Sequence, residues 1–238
     1  MEKLKQHGVL LHDKPLDENA VVVIGDIHGC AWGLREIISQ VVNTGCTLVF
    51  VGDLIDRGED GASVLTIVKS LHQNPQDWGL KAVHVLRGNH EQMILDARRE
   101  EETIGRRLRG DFTLWLQNGG IHEDYEFIEK HGMWDWLESL PLYYEHPSPV
   151  SWEGEMLTLL VTHASVTPGV PLKDQDPEVL YWDRHINGYS KNHITVHGHT
   201  IQESGNPMIY DTPTGKVVRL DTGSYYTGVI TGIAFTLD

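Results

Sequence analysis

The run V-V-V-I-G-D-I-H-G at 21–29 constrains the fold more than any other stretch. Four aliphatic residues followed by glycine read as a strand buried on both faces, with its C-terminal end opening onto a loop. In α/β sheets that edge is where ligands are held. Asp26 and His28 are two residues apart, so in extended chain their side chains leave on the same side and can grip one ion. Gly25 and Gly29 let the backbone come close to it. The pattern then recurs. The apolar run 47–51 ends at Gly52-Asp53-Leu54-Ile55-Asp56-Arg57-Gly58, and 81–86 ends at Gly88-Asn89-His90-Glu91. Two later runs, 157–162 and 194–196, end at His163 and at His197-Gly198-His199.

Between the first two runs, Leu34, Ile37, Ile38, Val41 and Val42 mark one face of a helix over 31–42. The segment from Val21 to Asp53 is therefore a β-α-β unit. Val64, Leu65, Val68 and Leu71 mark a second helix, closed by Asn74-Pro75. Right-handed crossovers place the ends of parallel strands side by side, so residues distant in sequence converge. From about 92 to 142 the pattern becomes helical, charged and aromatic, which predicts a helical cap. The proline-bearing stretch 141–154 reads as a returning loop, and the β-rich runs 217–220 and 229–237 as part of a second sheet. The expected fold class is α/β: two packed β-sheets in a sandwich flanked by helices, in a single domain 1–238 with the cap inserted.

Composition narrows the function. Formal net charge is −15, with 34 acidic against 19 basic residues, so the molecular field repels nucleic acid and anionic membranes. No stretch approaches the roughly 18 apolar residues of a membrane span. Residues 1–20 are charged and lack an apolar h-region, which predicts no secretory signal and a partly mobile lead-in. Cys30 and Cys46 are too few for a disulfide framework and fit a cytoplasmic, reducing setting. Cys30 reads as a small buried residue at a helix start rather than a soft ligand. A monomer is expected.

Asp26, His28, Asp53, Asn89, His163 and His199 each stand at or just past a strand end and offer oxygen or imidazole nitrogen. Such a set suits two divalent ions sharing one carboxylate, with Asp53 as the natural bridge. Two cations so placed lower the pKa of a shared water and clamp phosphoryl oxygens during in-line attack. Arg57 and Arg184 add neutralisation of a phosphate dianion, and His90 has the pKa range of a general acid.

The three motifs, G-D-x-H-G at 25–29, G-D-x-x-D-R-G at 52–58 and G-N-H-E at 88–91, come in order. With 27 residues from Asp26 to Asp53 and 36 from Asp53 to Asn89, their spacing also fits. On these grounds the chain resembles the metal-dependent phosphoprotein phosphatases. It is most similar to their small bacterial and phage branch, which includes the bacteriophage lambda phosphatase and the bacterial dinucleoside tetraphosphatases. His163-Ala164-Ser165 departs from the H-G-G of the eukaryotic branch. The resemblance implies a metallophosphatase fold, with Asp26 and His28 on a first metal, Asp53 bridging, and Asn89, His163 and His199 on a second. It implies phosphate binding by Arg57, Asn89 and Arg184, and His90 as general acid oriented by Asp56. It tips the metal to Mn²⁺, with Fe or Zn also feasible. His197, two residues from His199, stays open as an alternative ligand.

The first expectation for activity is a two-metal phosphomonoesterase acting on phosphoserine and phosphothreonine in proteins, with tolerance for phosphotyrosine and small aryl phosphates. The alternative is a dinucleoside polyphosphate hydrolase of the diadenosine tetraphosphatase type using the same site. Trp115, Trp134 and Trp136 read as cap core, or else as a platform for a nucleobase. Arg98, Arg99, Arg106, Arg107 and Arg109 read as a solvated helix face, or else as a second phosphate site.

Overall fold

The structure, a computed structural model of the chain, describes residues 6–104 and 110–237. Arg106, Arg107 and Arg109 lie outside the described residues. The first half alternates strand and helix: β1 (His7–Leu11), β2 (Ala20–Ile24), α1 (Ala31–Val41), β3 (Thr47–Phe50), α2 (Gly61–Gln73) and β4 (Ala82–Val85). Four helices follow, α3 (Asn89–Ile104), α4 (Gly110–Gln117), α5 (His122–Lys130) and α6 (Trp134–Ser139). The chain closes with β5 (Tyr143–Glu145), β6 (Val150–Trp152), β7 (Glu155–Thr162), α7 (Pro177–Trp182), β8 (His193–His197), β9 (Met208–Thr212), β10 (Gly215–Arg219), α8 (Ser224–Thr227) and β11 (Val229–Thr236).

β2, β3 and β4 are parallel and in register, Val22 opposite Leu48 and Leu48 opposite Val83, so their C-terminal ends share one edge. β7, β8 and β10 form a second parallel set, with Leu160 opposite Thr195 and Thr195 opposite Val217. Hydrogen bonding runs continuously in the order β4-β3-β2-β11-β6-β7-β8-β10-β9, with β1 on β11 and β5 on β7. The two expected sheets are thus two halves of one ladder, joined through the short antiparallel β6.

Alternation along the strands explains the layering. Val21, Val23, Val49 and Val51 pack against Leu159, Val161, Val196 and Val218 of the other half. Their neighbours Val22, Ile24, Leu48 and Phe50 face outward onto α1 and α2 through Leu34, Ile37, Val64 and Leu65. Both faces are covered, which is why the strands read as unbroken apolar runs. The 92–142 segment joins this same outer cluster through Met93, Ile94, Phe112, Trp115, Tyr125 and Trp134. Trp115, Trp134 and Trp136 are 0%, 4% and 8% exposed, so they are core and offer no stacking face.

Two readings need correction, and one strand went unread. The lead-in contains β1, which pairs in parallel with β11 from His7 opposite Val229 to Leu11 opposite Ile233. The returning loop contains β5 and β6, and β9 pairs antiparallel with β10 although its sequence gave no strand signal. These are short edge or corner strands, fixed by backbone pairing rather than by an apolar pattern. Among the described residues no helix is long and apolar enough to cross a membrane.

Phe50 is fully buried between β3 and the helices. Phe50→Ala is expected to cost about 3–5 kcal/mol in urea unfolding of the metal-free protein; a loss under about 1 kcal/mol would mean the outer layer is not packed as described.

Candidate metal centre and active site

The site is built on strained turns. Five non-glycine residues here have left-handed backbone: His28 (φ 45°), Asp53 (φ 51°), Asp56 (φ 68°), Arg57 (φ 65°) and His199 (φ 59°). Such residues cost on the order of 1–3 kcal/mol each and persist only where surrounding contacts over-determine them. Glu91 supplies those contacts. It lies in the first turn of α3, as its sequence position predicts, but it is fully buried. Its carboxylate accepts from Asp53 N and Leu54 N, both at 2.8 Å, and from Gly88 N at 2.9 Å. The Asp53 carbonyl in turn accepts from Ile27 N and His28 N, tying the first two motifs together. Two glycines leave room for carboxylates: a Cβ at Gly88 would stand 2.2 Å from Asp53 Oδ1, and one at Gly198 2.0 Å from Asp26 Oδ1.

Four of the expected ligands, His28, Asp53, His163 and His199, converge, joined by His90, which the sequence reading made the general acid. Ligand atoms of His28, Asp53 and His90 lie within 4.8 Å of one another, and so do those of Asp53, His163 and His199. Asp53 belongs to both groups, the position of a bridge. His28 Nδ1 donates to the Ile55 carbonyl at 2.9 Å, and Arg57 Nη1 donates to His28 Nε2 at 3.1 Å, so Nε2 carries the lone pair. His163 likewise donates from Nδ1 to the Val51 carbonyl at 3.0 Å. A backbone carbonyl behind the imidazole is the usual support of a metal-binding histidine. His163 Nε2 then faces Asn89 Oδ1 at 2.8 Å and Asp53 Oδ1 at 3.4 Å, and His199 Nδ1 lies 3.0 Å from the same Asn89 oxygen. Several lone pairs thus point at one another where a cation would stand between them. Burial, followed by the charge of a neighbouring histidine, pushes His28 and His199 below the ordinary imidazole range, His199 to about 3. Burial lowers His163 too. Neutral imidazole is the form that binds metal. The residues present fit a pair of divalent ions.

Asp26 sits beside this cluster. Its carboxylate accepts from His199 N at 3.0 Å, so the two ends of the constellation meet. It is in neither group of converging ligand atoms, and burial, then Asp221 and Asp53, raises its carboxyl well above the usual range. His197 is turned away, with Nδ1 2.6 Å from Thr162 Oγ1 and Nε2 3.3 Å from the Asn187 carbonyl, so it props β8 rather than facing the cluster.

His90 and Asp56 form a second unit. His90 Nδ1 lies 2.8 Å from Asp56 Oδ2, while His90 Nε2 is buried without a partner among the described residues. Burial lowers His90, but Asp53 and Asp56 outweigh it and raise it above the ordinary range. Asp56 is itself held by Trp115 Nε1 at 2.8 Å, and its own N–H donates to Asp124 Oδ2 at 2.9 Å. Arg57 N donates to the Gly119 carbonyl and Arg57 Nε to that of Asn118. The 92–142 segment therefore braces the second motif from the side.

A pocket of about 470 Å³ opens over the cluster, lined by Asp53, Arg57, Asn89, Arg184 and His199 together with Trp182, Tyr225 and Tyr226. Arg57 also lies 5.1 Å from the Tyr225 ring centre, and Arg219 donates to the Arg184 carbonyl. Asp183 pairs with His185, leaving the neighbouring Arg184 among the pocket-lining residues. Arg98 and Arg99 pair with Glu102, Asp96 and Glu138 on a solvated face. Cys30 precedes α1, is buried, and its thiol is pushed up to about 11 by burial, which makes it a poor ligand.

Sequence reasoning missed Asp221, Asp124 and the aromatic wall. Asp221 stands two residues past β10 in L-D-T-G, close to the strand-end grammar of the first motif; it is 1% exposed, with Oδ2 unpartnered among the described residues. Asp124 gave no signal, because its role depends on α5 packing against the Asp56 turn.

Glu91→Gln replaces one acceptor oxygen with a donor facing N–H groups and is expected to lose about 2–3 kcal/mol of stability; an unchanged urea midpoint would remove Glu91 from this role. Burial, then the charge of Asp56, raises the Asp124 carboxyl from 3.8 to about 7. A raised acid contributes fully below its unfolded pKa and loses that contribution as pH climbs through its folded one. Metal-free wild type should therefore lose stability relative to Asp124→Asn between about pH 4 and pH 7; parallel stability curves for the two proteins would refute this.

Comparison with known proteins follows the same geometry. The model of the calcineurin-like phosphoesterase family matches residues 20–203. The chain is 38% identical over 107 residues to serine/threonine-protein phosphatase 1 of Salmonella typhimurium, covering 42% of this chain and 38% of that protein. It is 30% identical over 151 residues to a symmetrical bis(5'-nucleosyl)-tetraphosphatase of Marinomonas sp., covering 63% of this chain and 45% of that protein. The chain thus spans less than half the length of these two relatives. Against the asymmetrical bis(5'-nucleosyl)-tetraphosphatase PrpE of Halalkalibacterium halodurans it is 26% identical over 246 residues, covering 90% of this chain and 89% of that protein. A solved structure of a candidate diadenosine tetraphosphatase shares the fold, with TM-score 0.58, 20% identity, and coverage of 96% of this chain and 93% of that chain. The matched segment takes in every strand end that carries a converging ligand, from the turn after β2 to the turn after β8, and the chain belongs to the calcineurin-like phosphoesterase family.

Proposed function

We propose that this phosphoesterase hydrolyses dinucleoside polyphosphates of the diadenosine tetraphosphate type, which makes the alternative of the sequence reading the preferred one. The observation that carries it is the composition of the catalytic pocket. Arg57 and Arg184 supply two fixed cations for phosphate oxygens, and Trp182, Tyr225 and Tyr226 stand in the same 470 Å³ space. A phosphoserine side chain has no use for aromatic walls; a nucleoside does. Relatives that match along nearly their whole length are named for this substrate class.

In this reading Asp26 and His28 would hold one divalent ion and Asn89, His163 and His199 the other, with Asp53 shared between the two sets. The ions, taken as Mn²⁺ on the family resemblance with Fe or Zn also fitting an oxygen and nitrogen donor set, would supply Lewis-acid polarisation of the phosphoryl group and an activated water. Arg57 is preset for phosphate because its backbone N–H and Nε are already bound to the carbonyls of Gly119 and Asn118. Asn89 projects from the first turn of α3, where helix N–H groups favour anions. His90 holds a proton at Nε2 for the departing oxygen, and Asp56 fixes the ring through Nδ1.

A second reading, hydrolysis of phosphoserine and phosphothreonine in proteins, rests on the 38% identity to the Salmonella phosphatase. A side-by-side assay of Mn²⁺-loaded protein on diadenosine tetraphosphate, a phosphopeptide and an aryl phosphate decides between them. Nucleotide products with the highest kcat/KM are expected from the first; preference for the phosphopeptide would overturn the proposal.

His90→Asn should retain two bound metal ions by elemental analysis. It should cut turnover on an alkyl phosphate about a hundredfold or more, and on diadenosine tetraphosphate far less, because a departing nucleotide phosphate needs little protonation. Equal losses on both substrates would remove His90 from the acid role.

A further inference from the structure

A second cleft of about 690 Å³ adjoins the catalytic pocket, and Trp182 lines both. Its walls come from α3, α4, α7 and the turns around β4 and α6, with Arg87, Gln92, Asp96, Leu114, Leu142 and Trp182 among them. The partition is anchored at the metal cluster, since the Trp182 and His199 rings meet edge to face at 5.9 Å. Arg87 is two residues before Asn89, so the same strand-end turn that feeds the catalytic pocket also feeds this cleft.

Resting on the substrate class proposed above, we propose that this cleft binds the distal nucleoside of a dinucleoside polyphosphate, with its polyphosphate crossing beside Trp182 to Arg57 and Arg184. Three observations favour that occupant. The volume is that of a small-molecule site, about 300–1,000 Å³. The walls combine apolar faces, Leu114 and Leu142, with the indole of Trp182, which suits a base. The polar groups suit ribose and base rather than another phosphate: Asp96, Asp111 and Glu178 line the cleft, so carboxylates outnumber the single cation Arg87. Carboxylates accept hydrogen bonds from ribose hydroxyls and repel phosphate. The polar floor is preorganised, because Gln92 Oε1 accepts from Arg87 Nη1 at 3.0 Å and from the Tyr181 hydroxyl at 3.1 Å, while Gln92 Nε2 donates to Asp96. A phosphoserine residue would fill only the catalytic pocket and leave this cleft empty.

Leu114 is 47% exposed on α4 and lines this cleft but not the catalytic pocket, so Leu114→Trp fills the cleft at little risk to the fold. Mn²⁺-loaded Leu114→Trp should show a KM for diadenosine tetraphosphate raised about tenfold with kcat retained, and unchanged kinetics on p-nitrophenyl phosphate. Adenosine, which carries no phosphate, should compete with diadenosine tetraphosphate in wild type and compete several-fold more weakly in the variant. If wild type cleaves diadenosine tetraphosphate and both KM and adenosine competition are unaltered by the substitution, the cleft is not a nucleoside site although the substrate class stands. If wild type cleaves p-nitrophenyl phosphate but not diadenosine tetraphosphate, the substrate class itself falls, and the subsite with it. If the substitution raises KM for a phosphopeptide instead, the cleft serves peptide and the proposal is overturned.

Discussion

The buried carboxylate of Glu91 holds Asp53 at the end of β3 in a backbone conformation that an aspartate adopts only at a cost, and the candidate metal centre depends on that hold. Burial, then the charge of Asp53, pushes the Glu91 carboxyl up to about 7, and the three N–H groups it accepts from oppose that rise by favouring its charged form. With Asp53 so fixed, its side chain faces His28 on one side and His163 on the other at 3.4 Å each. The same residue passes strain outward through its carbonyl to the His28 turn. Remove the clamp and the two halves of the ligand set lose their common member.

A second constraint comes from the helical segment. Its packing was expected to cover the site from above; its described contacts work from the side. Trp115 and Asp124 meet Asp56 from α4 and α5, and the turn after α4 receives Arg57. Asp56 therefore has its ring partner His90 and its structural partners on different elements. That division lets the cap's apolar core, rather than solvent, set the angle of the acid.

Much of the centre was legible in the sequence because strand ends announce themselves. An apolar run broken by glycine and followed by Asp, Asn or His is a local pattern, and His28, Asp53, Asn89, His163 and His199 come together at one edge. Asp26 came together less closely than the others, held by His199 N instead of lying within either ligand group. What stayed hidden depends on contacts with no local signature. Asp124 and Arg219 act across elements, β1 and β9 are set by pairing with β11 and β10, and His197 was indistinguishable from His199 by spacing alone. Its ring is spoken for by Thr162 and Asn187, which only the folded chain brings near.

The amino-acid sequence by itself determined the element grammar and the ligand chemistry of this protein: unbroken apolar runs make the central strands, and the residue types at their ends limit the site to hard or borderline cations and phosphate. Only the tertiary structure decided which aromatic side chains face the substrate. Trp115, Trp134 and Trp136 had the chemistry of a stacking platform and were drawn into the core, whereas Trp182, Tyr225 and Tyr226 line the pocket. The physical reason is that burial is a property of the whole packing arrangement: an aromatic ring goes wherever the surrounding elements exclude water best, and no window of sequence contains that information.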